Sequence, residues 1–191
     1  MIEIMRKAFK RKLRRLTRRV SPRRFVRRQD GAVAVEFGLI LLPFLALMFG
    51  IMETALVFFA DQTLETAVAD SARLIMTGQA QTQNLTATTF KNAVCARIYG
   101  LFNCQSGVYV NVQTYSSFAS ISNSPPLDNN GNLVTSNMGY APGGPGDIVV
   151  VQLFYQWPIY VSLMNLSQLS NMAGNKRLLV ATAAFRNEPY N

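Results

Sequence analysis

The chain contains no histidine. That absence removes the commonest general base, the usual hydrolytic triad and the imidazole ligands of most zinc sites. Acidic residues are also scarce, ten in 191, and neither a paired-acid site nor an activated nucleophile is visible among them. The Gly143-Gly144-Pro145-Gly146 run lacks the Lys-Ser/Thr and the following helix of a phosphate loop, so it reads as a plain loop. The sequons at Asn84 and Asn165 are short patterns that arise readily by chance, and no internal repeat is present. With only two cysteines, Cys95 and Cys104, a metal site has too few ligands. No catalytic residue, cofactor or metal is expected, and the chain reads as non-enzymatic.

Charge is present but unevenly placed. Residues 1 to 31 hold 13 Lys/Arg against Glu3 and Asp30, a balance of +11, while the other 160 hold 6 Lys/Arg and 8 acids, a balance of −2. The net +9 therefore belongs to the N-terminal arm. An apolar run follows it, and the 16 residues from Phe37 to Met52 carry no charge. Extended from Ala32 to Ala60 the run exceeds the roughly 20 helical residues that cross a hydrocarbon layer. Basic arm then span is the positive-inside pattern, with the N-terminus cytoplasmic and the rest exported. A cleaved secretory signal is disfavoured because the apolar core is too long and no A-x-A-like site ends it. Nucleic-acid binding by the arm is set aside, since the arm is tethered at the membrane and has no interleaved aromatics. The apolar residues Ile4, Met5, Phe9, Leu13, Leu16 and Val20 permit an amphipathic helix on an anionic leaflet; a disordered basic tail fits the same residues.

The junction is the most informative stretch. Gly31-Ala32-Val33-Ala34-Val35-Glu36-Phe37 places a glycine at the end of the basic arm and a glutamate five residues on, in the first turns of the span. A carboxylate there is costly and asks for a reason. Small residue, four residues, Glu, aromatic, then a span resembles the processing site of type IV prepilins. Gly31 suits a cut after it, because a missing Cβ lets a protease approach the backbone. Ala32 would then carry a free α-amine that Glu36 could neutralise.

Beyond the lipid, Leu64, Ala67, Val68, Ser71, Ala72 and Ile75 recur at helical spacing. The spacing predicts one helix from Ala32 to Thr77, roughly 70 Å long, stopped by Gly78, with Asp70 and Arg73 placed for an i,i+3 pair. A second helix is predicted over Leu85–Gly100, capped by Asn84 or Thr86, with Ala87, Phe90, Val94, Ile98 and Leu101 as its stripe. Strands are predicted over Val108–Gln113, where Val108, Val110 and Val112 alternate with Tyr109, Asn111 and Gln113 on the more polar face of a half-buried strand, over Asp147–Trp157, which Pro158 ends or marks as an edge, and over Leu178–Phe185. Residues 122–146, rich in Ser, Asn, Pro and Gly, read as a long loop; residues 160–175 are ambiguous, with a short helix one option. Cys95 and Cys104 lie on the exported side, where disulfides persist, and are expected to be bonded. Trp157, Tyr155 and Tyr160 read as core or interface aromatics. Glu53 reads as a carboxylate at the outer interface or as a packing group. The class is α+β: a long N-terminal transmembrane helix (32–60) after a basic leader (1–31), extending into a small exported domain (61–191) with a second helix and an antiparallel sheet.

The chain resembles the TadE-like minor pseudopilins of the tight-adherence (Flp pilus) system. The resemblance rests on Asp30–Phe37, Phe59-Ala60-Asp61-Gln62-Thr63-Leu64-Glu65-Thr66-Ala67, Gly146-Asp147-Ile148-Val149-Val150-Val151 and Ala184-Phe185-Arg186-Asn187-Glu188-Pro189. It implies a bacterial inner-membrane, single-pass protein with a periplasmic C-terminal domain, pilus-associated or extracellular after processing. Gly31, Ala32 and Glu36 would be its processing residues. Phe37 stands where related prepilins often have tyrosine, keeping the stacking surface without the hydroxyl. The implied partners are a prepilin peptidase, other pilins and pseudopilins, the assembly platform and the membrane, with no nucleic acid. A signal-anchored periplasmic binding or adhesion domain that keeps its leader is the competing reading.

Overall fold

The computed structural model describes residues 30–98, 100, 102–122, 124–160 and 170–190. The arm before Asp30, Leu101 and most of the ambiguous 160–175 stretch lie outside the described residues. The chain divides between Leu47 and Met48 into two compact units.

One continuous helix, α1, runs Asp30–Met76 and passes through Pro43. In the first unit its apolar side chains are exposed: Val33, Leu39, Ile40, Leu42 and Phe44 all face outward. In the second unit the predicted stripe is buried in full, with Leu64, Ala67 and Ile75 entirely closed and Ser71 donating its hydroxyl to the Ala67 carbonyl at 2.6 Å. The back-bond lets a polar residue sit on the packed face without an unsatisfied group. Asp70 and Arg73 form no ion pair: both are exposed, and a solvated pair gains too little to hold two side chains together.

The helix ends as predicted at Gly78, whose φ is +77°. A Cβ there would also lie 2.3 Å from the Tyr190 ring, so backbone and space both require glycine. The Glu188 N–H donates to the Met76 carbonyl at 2.8 Å, satisfying one of the acceptors a helix end leaves open. Two short turns of helix not foreseen follow in chain order, α2 (Gln79–Thr82) and, later, α4 (Cys104–Gly107).

The second long helix is shorter than predicted. It covers Ala87–Cys95 as α3, not Leu85–Gly100. Thr86 is its cap, in a reciprocal capping box with Thr89, while Asn84 takes a left-handed turn at φ 52°. Ala87, at its first position, is exposed; Phe90 and Val94 are buried. The chain leaves the helix in a turn at Ala96 and Arg97, and the Cys95–Cys104 disulfide, with Cα atoms 5.5 Å apart, closes the loop that follows.

Three antiparallel strands form one sheet in the order β1-β2-β3: β1 Val108–Tyr115, β2 Ile148–Pro158 and β3 Lys176–Arg186. The register sets Val112 opposite Val151 and Val151 opposite Ala183. Val149, Val151, Leu153 and Leu179 from this face join the α1 stripe and Phe90 in one core. Each such fully buried side chain contributes about 1.5–3 kcal/mol. The other face is not simply solvated, since Val150, Phe154 and Leu178 are buried there too. Asn111, predicted on a polar face, is buried between the Gly139 N–H and the Gln152 side chain. The 122–146 segment lacks regular strands, as expected, but its end is tied to β1: Val112 N–H donates to the Gly139 carbonyl and Ala141 N–H to the Val112 carbonyl.

Candidate functional site

The predicted processing residues fall on the first turns of α1. Gly31 is helical, and among the described residues a Cβ built on it would meet nothing within 4 Å. A glycine in a helix costs about 1 kcal/mol relative to alanine, and here neither a positive φ nor a close contact offsets it. Its use therefore lies outside the packing of this fold. Ala32, Glu36 and Phe37 are all exposed. Among the described residues nothing hydrogen-bonds Glu36, which leaves its carboxylate available on a surface that is otherwise apolar. The turn also makes chemical sense as a cleavage point: a protease needs extended backbone, and glycine lowers the cost of fraying the first helical turn.

Glu53 is a different kind of acid. It is 6% exposed, and its Oε1 accepts the backbone N–H of Tyr160, just past the end of β2. The packing role among its sequence readings is realised. Sequence periodicity could have flagged it, because Glu53 precedes Val57, Ala60 and Leu64 on the buried stripe.

Cys95 and Cys104 are disulfide-bonded, as expected. Trp157 and Tyr155 belong to an aromatic cluster around Phe102, a residue the sequence reading did not single out; Phe102 and Tyr155 stack with centroids 4.1 Å apart. Burial, with a smaller contribution from Tyr160, raises the Tyr155 phenol above its ordinary pKa of 10.0. Tyr160 itself is 79% exposed.

A shallow cleft of about 550 Å³ opens beside β1, lined by Lys91, Gln105, Tyr109, Met138 and Tyr140 among others. Lys91 donates to the Gln105 carbonyl at 2.8 Å. The Tyr140 hydroxyl is buried with no partner among the described residues, and burial raises its pKa. Among the described residues the cleft brings together one cation, one side-chain amide, two threonine hydroxyls and two phenols, Tyr109 and Tyr140.

Helix α1 is long and apolar enough to cross a membrane, with the span near the N-terminus. Residues 31–73, from the candidate processing glycine to the packed half of α1, match the family described as TadE-like protein. No curated protein matches the chain, and no solved structure does.

Proposed function

We propose that this protein is a non-enzymatic minor pseudopilin, a reading supported by the match of residues 31–73 to the family described as TadE-like protein. A prepilin peptidase removes the leader after Gly31, and the mature chain then takes part in assembling an adhesive Flp/Tad-type pilus. It sits in the bacterial inner membrane with its arm cytoplasmic and its head periplasmic, and works with other pilins, pseudopilins and the assembly platform. The observation that carries this reading is the pairing of a helical glycine with no structural need for its missing Cβ and an exposed carboxylate five residues on. The family match beginning at residue 31 supports it.

N-terminal sequencing of membrane-extracted protein tests it directly. The mature chain should begin at Ala32 when a prepilin peptidase is co-expressed, and Gly31→Leu should leave a full-length, leader-bearing band. A wild-type chain that keeps its arm in the presence of the peptidase would favour the anchored adhesion domain instead.

A further inference from the structure

Two boundaries on α1 do not coincide. The buried face begins at Glu53 and continues through Val57, Ala60, Leu64 and on to Ile75. The exposed face changes character later. Ile51, Met52, Leu56, Phe58 and Phe59 are exposed and apolar, whereas Gln62, Glu65, Thr66 and Asp70 are exposed and polar. From Glu53 to Phe59 one side of the helix is packed into the head while the other is apolar apart from the half-exposed Thr54, whose hydroxyl donates back to the Gly50 carbonyl at 2.8 Å. At about 1.5 Å per residue this overlap is about 10 Å deep.

An apolar face beside a packed head would be a liability in water, but it continues without interruption the exposed face of a span. A bilayer's headgroup zone adds roughly 5–8 Å to each side of a hydrocarbon core of ~30 Å, close to the depth of the overlap. Tyrosine favours that zone, and the 79% exposed Tyr160 is held at this level by its bond to Glu53, while Phe58 and Phe59 continue the exposed apolar surface. The burial of Glu53 then has a cause. A carboxylate at that depth is costly facing lipid; enclosed between helix and head, it meets a backbone donor instead.

We propose that the base of the head is seated in the lipid interface on its own side of the membrane. Leu56, Phe58, Phe59 and Tyr160 contact lipid there, and Glu53 is sealed between helix and head at the same depth. The proposal rests on α1 being a membrane span and not on the pilus role.

The full chain in phospholipid nanodiscs, one chain per disc, tests it with single thiols at Leu42→Cys, Phe59→Cys and Gln62→Cys. All three positions are exposed, and the native cysteines are bonded to each other. A charged, membrane-impermeant maleimide should label Gln62→Cys at least tenfold faster than Phe59→Cys and leave Leu42→Cys untouched. Equal labelling at 59 and 62 with 42 protected would overturn the seating alone. Labelling at 42 would overturn the span as well. Protection of 59 that arises only with several chains per disc would assign the face to a second copy and refute lipid contact. The unaltered chain gives an independent reading through its one tryptophan, Trp157. Lipids brominated near the headgroup should quench it more than lipids brominated near the bilayer centre, and no quenching by either would refute the proposal.

Discussion

Glu36 and Glu53 lie on the same apolar helix in opposite circumstances, one exposed with no partner among the described residues and the other buried against the Tyr160 N–H. Their substitutions should separate cleanly. Glu36→Gln should still be cut after Gly31 yet fail to support piliation, because the free α-amine would lose its counter-charge; an unpaired charge there costs roughly 2–3 kcal/mol on insertion scales. Normal piliation by this variant would remove the pairing role. Glu53→Ala should instead lower the stability of the head by about 1.5–3 kcal/mol, the range for a hydrogen bond to a charged group, and Glu53→Gln by less. Denaturant unfolding followed by Trp157 fluorescence measures both, and an unchanged midpoint for Glu53→Ala would show that the contact contributes nothing. Tyr140 supplies a pH signature. Its folded pKa is raised above 10.0 by burial, so above pH 10 the unfolded chain ionises while the folded one keeps its proton. Stability is therefore unaffected below that value and falls as pH rises through it; Tyr140→Phe should flatten the alkaline decline.

Among the elements, α3 depends on its two ends. Thr86→Ala removes the capping box and should cost about 1 kcal/mol. Replacing Cys95 and Cys104 by serine opens a short loop and should cost roughly 2–3 kcal/mol in chain-entropy terms. Thermal melts of the reduced and oxidised protein measure the second effect without mutation. The limits of α3 also show what the sequence could and could not convey. Long periodic stretches were readable: α1 within two residues at each end, the buried Leu64–Ile75 stripe, and all three strands, because burial on one face imprints a local period. Helix α3 was overdrawn because Ile98 keeps helical spacing with Phe90 and Val94 although the chain has already turned. It reaches the core through the disulfide-closed loop, a non-local constraint that no local pattern records. Asn111 was placed on a solvated face for a similar reason: its partners Gly139 and Gln152 are distant in sequence. The Gly31 and Glu36 signal was legible because it depends on adjacent residues, whereas the closing of Glu53 by Tyr160 depends on how β2 returns to the helix.

Taken whole, the second unit is a helix and a sheet sharing one core, with a long segment between β1 and β2. Limited proteolysis should cut first between about 122 and 137, where Ser, Asn and Pro leave little apolar surface to offset ordering, and should spare 139–141, bonded to Val112. Initial cutting inside β2 would contradict the strand assignment. The meeting of α1 with residues 188–190 has a consequence in time. The carbonyl of Met76 waits for Glu188, and the space over Gly78 waits for Tyr190. Helix α1 is made early, these residues far later, so for most of synthesis Leu64, Ala67 and Ile75 have no sheet to cover them. Contacts so distant along the chain form slowly, and exposed apolar stripes attract proteases and one another. The nascent head should therefore pass from protease-sensitive to protease-resistant in a single late step, when residue 190 emerges, and a chain arrested short of Glu188 should remain on the sensitive side.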